Sequence, residues 1–68
     1  NIELLSNALN EAGEELKNLK AFKIILSEKK IPESRKLYGS ITLDYGIEML
    51  SAEIKWCQRW IKKLSEEN

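Results

Sequence analysis

The chain contains no histidine, a single cysteine, a single proline and no excess of charge of either sign. Each absence removes a class of function. Without histidine there is no imidazole base and no Ser-His or Cys-His nucleophile pair. One cysteine, Cys57, cannot close an internal disulfide, and with no histidine beside it the usual structural zinc sites are excluded. Gly13, Gly39 and Gly46 stand apart, so no phosphate-cradling loop is present. Eleven basic and eleven acidic residues cancel, leaving no net charge to attract nucleic acid or an anionic membrane. No leader-like segment and no apolar run of about 18 residues occurs. No cofactor and no catalysis are expected.

Small size sharpens these exclusions. A core built from 68 residues seldom supplies more than roughly 3–5 kcal/mol without a staple. Disulfide and metal being excluded, association with another chain is the staple that remains. A solitary cysteine suits a reducing compartment, so a cytoplasmic setting is expected. Because the chain begins at Asn1 rather than Met, it is expected to be a piece of a longer protein.

Punctuation is sparse and strong. Pro32 disfavours helix at the residue before it and is tolerated in a first helical turn. A helix over about 2–29, a loop over about 30–34 and a second helix over about 34–65 are predicted, forming one domain. The Tyr38-Gly39-Ser40 stretch weakens the second helix and leaves a break there open. Lys29 and Lys30 are placed to complement the negative end of the first helix.

Apolar spacing supports both helices. Ile2, Leu5, Leu9, Ala12, Leu16, Leu19, Lys23 and Leu26 recur in steps of three and four along one face, widened by Phe22 and Ile25. Lys23 is the one cation on this stripe, its stem expected along apolar surface with its head in water. Gly13 inside it is a close-approach point or a weak spot. The second segment carries two stripes. Leu43, Ile47, Leu50, Ile54, Cys57, Ile61 and Leu64 form the first, and Tyr38, Tyr45, Met49, Ala52, Trp56 and Trp60 the second. At about 100° per residue the two span somewhat over 200° of the helix. The first helix therefore needs one neighbour, and the second needs at least two. A lone hairpin provides one, so Tyr45, Met49, Trp56 and Trp60 would form an apolar strip that something must cover. The expected fold is all-α, a hairpin of two long helices associating into a dimeric helical bundle, with a second copy as the simplest partner.

The remaining candidates have plain structural readings. Cys57, between Ile54 and Ile61, reads as a small buried hydrophobe. Glu14-Glu15 and Glu66-Glu67 point to different sides of a helix and read as solvated surface. The basic residues Lys55, Arg59, Lys62 and Lys63 could touch phosphates, but read more simply as a helix end complemented by Glu66 and Glu67. A small helical enzyme of the chorismate-mutase kind needs several core-facing cations, and here only Arg35 and Arg59 are arginines, the latter on the polar side. Trp56 and Trp60, four apart, form one aromatic ledge: core or dimer interface, or a flat wall for a planar apolar ligand.

The stretch from Leu43 to Cys57 resembles the last helix of PadR-type bacterial transcriptional regulators. That helix carries Leu-x-x-Gly-hydrophobic, then hydrophobic-x-Trp, then an amphipathic turn ending in leucine; here these are Leu43, Gly46, Ile47, Ile54, Trp56, Ile61 and Leu64. The preceding leucine-rich helix and polar loop resemble the same family's C-terminal domain. The resemblance implies a homodimerisation domain that spaces two winged helix-turn-helix domains over two half-sites, with small aromatic effectors as ligands in some members. No winged helix-turn-helix lies in this chain, so DNA would be reached only through a domain outside it. A stand-alone helical adaptor for an unrelated partner protein is the alternative from a different class.

Overall fold

A computed structural model describes residues 2–67. Two helices account for almost all of them: α1, Ile2–Glu28, and α2, Glu33–Glu66. The turn is made as the proline requires. Pro32 sits at the N-cap of α2 with φ −55° and ψ 143°, a conformation outside the helix, and its carbonyl accepts from the amides of Arg35 at 3.0 Å and Lys36 at 3.1 Å. Glu33 in the first turn complements the positive end of α2. At the other side of the loop the Lys29 amide donates to the Leu26 carbonyl at 3.3 Å. Lys29 and Lys30 thus lie just beyond α1, whose last turn has no basic residue.

α2 runs unbroken through Tyr38-Gly39-Ser40. The break left open there does not occur, and packing explains why. A Cβ on Gly39 would stand 2.7 Å from Leu26 Cδ2, and one on Gly46 2.8 Å from Leu19 Cδ1. Both glycines are points where α1 leucines press onto the α2 backbone, and this tertiary contact outweighs their poor helix propensity. The Thr42 hydroxyl also donates to the Tyr38 carbonyl at 3.0 Å, within the continuous helix.

Successive pairings place leucines seven residues apart on α1 against glycines seven apart on α2, so the helices run antiparallel with a heptad match. Their seams repeat every 3.5 residues, the period of a left-handed coiled coil. The result is a rod of 54 × 14 × 12 Å. Its radius of gyration is 15.7 Å, against about 11 Å for a compact domain of this length.

Gly13 differs from the other two glycines: no heavy atom lies within 4 Å of a Cβ built there. It is a weak spot in α1 and makes no close approach within the chain. Gly13→Ala is expected to stabilise the chain by up to about 1 kcal/mol, read as a rise in urea midpoint at unchanged m-value. A fall would mean that another surface uses the missing side chain.

Candidate association surface

Only one partner is available to each helix within the chain, and burial follows from that. Leu43, Cys57 and Ala12 are the buried apolar residues, Cys57 being only 1% exposed. Ile47, Leu50, Ile54, Ile61 and Leu64 are half-buried on the same seam, as are Leu5, Leu9, Leu16, Leu19 and Leu26 of α1. The Leu43–Leu64 stripe is therefore the one that packs within the hairpin. Cys57 is a free, buried thiol, in keeping with a small hydrophobe between Ile54 and Ile61.

The second stripe is left outside. Tyr45 is 67% exposed, Met49 53%, Trp56 49% and Trp60 38%. The Lys63 ammonium stands 5.8 Å from the centroid of the Trp60 ring, a cation–π distance that caps one side of the indole.

α1 adds to this surface, contrary to the expectation that one neighbour would satisfy it. Phe22 and Ile25 remain at least half exposed, as does Leu4; Ile24, also exposed, lies about 200° round the helix from Phe22, on the other side. Phe22 and the aromatic stripe share one side of the rod. Leu19 and Leu26 meet Gly46 and Gly39, so those edges of the two seams face each other. Phe22, three residues after Leu19 and four before Leu26, lies just outside that edge on α1. Met49 and Trp60, three and fourteen residues after Gly46, lie just outside it on α2. Trp56 and Tyr38 follow further round. The signal for Phe22 was present in its spacing, but its side could be assigned only once the glycine contacts set the register.

The opposite side is predominantly polar. Gly13, Lys17 and Lys20 of α1 and Ser40, Asp44, Ser51, Lys55, Gln58 and Lys62 of α2 fall there by the same rotation of about 100° per residue. Near the loop, Ile24, Leu37 and Ile41 interrupt it, and Leu37 and Ile41 help form two shallow open grooves. One is lined by Lys23, Ser40, Ile41, Asp44, Tyr45 and Glu48. The other runs past Lys23 again, with Leu26, Ser27, Glu33, Lys36, Leu37 and Ser40. Lys23, exposed despite its seam position, borders both. Trp56 and Trp60 line neither, so the aromatic ledge is an open surface rather than a wall of either groove.

Area puts a size on what is uncovered. The chain exposes 5619 Å², where a compact protein of its mass exposes about 4,400 Å². The excess, roughly 1,200 Å², is comparable with what one protein contributes to a stable interface, about 800 Å² or more. Among the described residues, no group of three or more acidic, cysteine or histidine side chains is placed to hold a metal, and no helix is long and apolar enough to cross a membrane.

Comparison with known proteins agrees with a helical module of this kind. No curated protein and no solved structure matches the chain. The virulence activator alpha C-terminal family model, however, matches residues 1–65. With all but its last three residues matched, the chain belongs to the virulence activator alpha C-terminal family.

Proposed function

We propose that this chain is the homodimerisation domain of a PadR-like transcriptional regulator acting in the cytoplasm. Its work is geometric: it holds two DNA-binding domains, outside this chain, in a fixed twofold relation that matches two half-sites. It touches no DNA and catalyses nothing.

One observation carries the reading. The apolar side shared by α1 and α2, with Phe22, Met49, Trp56 and Trp60 exposed, is too extensive for a chain working alone. Twofold pairing is the commonest way to cover such a surface. A balance of eleven cations and eleven anions removes net repulsion between copies. The family's description as the C-terminal part of a virulence activator is compatible with a regulator, and the PadR-like order of Leu43, Gly46, Ile47, Ile54 and Trp56 narrows it further.

Sedimentation equilibrium over a wide concentration range, with helicity followed in parallel, tests this. A dimer whose helicity falls on dilution is expected, since folding of so small a core is coupled to association. A well-folded monomer at low micromolar concentration would overturn the reading and transfer the surface to a different protein.

A further inference from the structure

The exposed apolar side chains on the Phe22 side of the rod are arranged symmetrically along it. On α2, Tyr45, Met49, Ala52, Trp56 and Trp60 fall within an arc of about 80°, at about 100° per residue. Met49 and Trp56 lie equally far from the Ala52–Glu53 peptide, one on each side of it, and so do Tyr45 and Trp60. The inner pair stands about 5 Å from that point along the axis and the outer pair about 11 Å. α1 repeats the pattern. Phe22 and Leu4, eighteen residues apart, occupy the same angular position on α1, and both are exposed. The Leu19–Gly46 and Leu26–Gly39 approaches put Phe22 level with Leu43 and Leu4 level with Ile61, and Ala52 lies midway between those levels.

A face with its own centre of symmetry fits a twofold axis that crosses the rod at that level. We propose that two copies pack antiparallel through this face, α2 on α2 and α1 on α1, about a twofold axis at Ala52. Trp56 of each copy then meets Met49 of the other, an aromatic–sulfur contact. Trp60 meets Tyr45, Phe22 meets Leu4, and the small Ala52 side chains let the two α2 backbones approach at the axis. This rests on the homodimer reading and specifies its geometry. Every contact occurs twice, as a twofold interface requires. Both tryptophans lie inside the overlap, since α2 runs from Glu33 to Glu66 and the second copy covers it from about Tyr38 onward.

Charge at the rim agrees with the pairing. Glu48 and Arg59 share the edge of α2 that faces away from α1, and the axis brings Glu48 of one copy within about 5 Å, along the rod, of Arg59 of the other. Lys63, beside Trp60, meets the uncharged Thr42. Glu11, Glu15 and Glu53 gather near the axis, and their mutual repulsion opposes the association. Parallel pairing would not relieve it. With α1 laid on α2 at equal levels, Glu11 and Glu15 still approach Glu53, and Met49 and Trp56 fall against those two carboxylates instead of against each other. Apolar matching therefore selects the antiparallel arrangement.

The test is thiol cross-linking with a short bismaleimide in a Cys57→Ala background, beside sedimentation equilibrium of each chain. Thr42→Cys and Lys63→Cys, both at exposed positions, stand opposite each other across the proposed axis, but each lies about 30 Å from its own counterpart. Neither variant alone should be joined, and an equimolar mixture allowed to exchange subunits should give a covalent dimer of one of each. Each variant joined to itself would show parallel pairing and overturn the axis. No joining in any sample, with the chains still dimeric, would show that another face is used while the homodimer reading survives. If the unmodified chain is monomeric, both fall. A second measurement needs no thiol: Glu11→Gln/Glu15→Gln removes like charges from the axis and should tighten the dimer at least about twofold at low salt. Unchanged or weaker association of that variant overturns the axis as well.

Discussion

Cys57→Asp is expected to leave the chain without a folded hairpin. Cys57 is the most enclosed side chain, 1% exposed, in the middle of the seam between Ile54 and Ile61. A carboxylate there has neither water nor a cation to replace the thiol's apolar surroundings, at a cost of several kcal/mol. A core of this size supplies roughly 3–5 kcal/mol in all, so the substitution removes most or all of it. Far-UV circular dichroism at micromolar concentration reads the result directly as lost helicity. Two comparisons isolate the cause. Cys57→Ala deletes only the sulfur and should cost about 1 kcal/mol. Arg59→Asp, two residues along on the exposed side, should change stability by no more than about 0.5 kcal/mol. A helical Cys57→Asp chain as stable as the original would mean that α2 is rotated away from the seam described here.

The seam was legible because its period is strict. Leu43 to Leu64 alternates steps of four and three without a miss, and Ile2 to Leu26 does the same with Lys23 in place. Pro32 located the turn for a local reason, and the observed loop falls within two residues of its expected position, α1 ending at Glu28 and α2 starting at Glu33. The expectation that the Tyr45, Met49, Trp56 and Trp60 strip stays outside the hairpin agrees with the burial of Leu43 and Cys57. Two features were not legible, each because it depends on how the helices meet. The sequence weakened α2 at Gly39, where local propensity points to a break and the pressure of Leu26 on that backbone keeps a helix. It also counted one neighbour as enough for α1, although Phe22 and Ile25 stay exposed. A residue at the rim of a stripe is buried or bare according to interhelical register, and spacing within one helix carries no information about that. The aromatic ledge of Trp56 and Trp60 was visible from its four-residue step, and its occupant is a question for association experiments.

The glycines of α2 lead to the second large effect. Gly39→Leu/Gly46→Leu is expected to destabilise the hairpin by about 2 kcal/mol, although leucine is a far better helix former than glycine. Two opposing terms set the sign. Each substitution gains about 0.8–1 kcal/mol of helix propensity. Against this, even a Cβ would stand 2.7 Å from Leu26 Cδ2 at position 39 and 2.8 Å from Leu19 Cδ1 at position 46, and overpacking by a full side chain costs typically 1–3 kcal/mol per site. Alanine at either position should be nearly neutral, because the methyl groups it meets end flexible side chains that can rotate aside. Position 39 is the tighter, with Leu26 Cδ1 and Cγ also at 3.6 and 3.7 Å, so Gly39→Ala should be the worse of the two. Gly13→Leu supplies the control, since open space lies around that position and only the propensity gain applies. Close approach also predicts a rescue. Leu26→Ala should cost stability in the original chain by opening a gap, yet recover it beside Gly39→Leu, where the new side chain fills the space vacated. Thermal unfolding of the two single variants and the double variant measures that coupling. If the double variant is merely the sum of the singles, leucine-on-glycine contact is not what holds these helices in register, and the assignment of Phe22, Met49 and Trp60 to one side of the rod loses its basis.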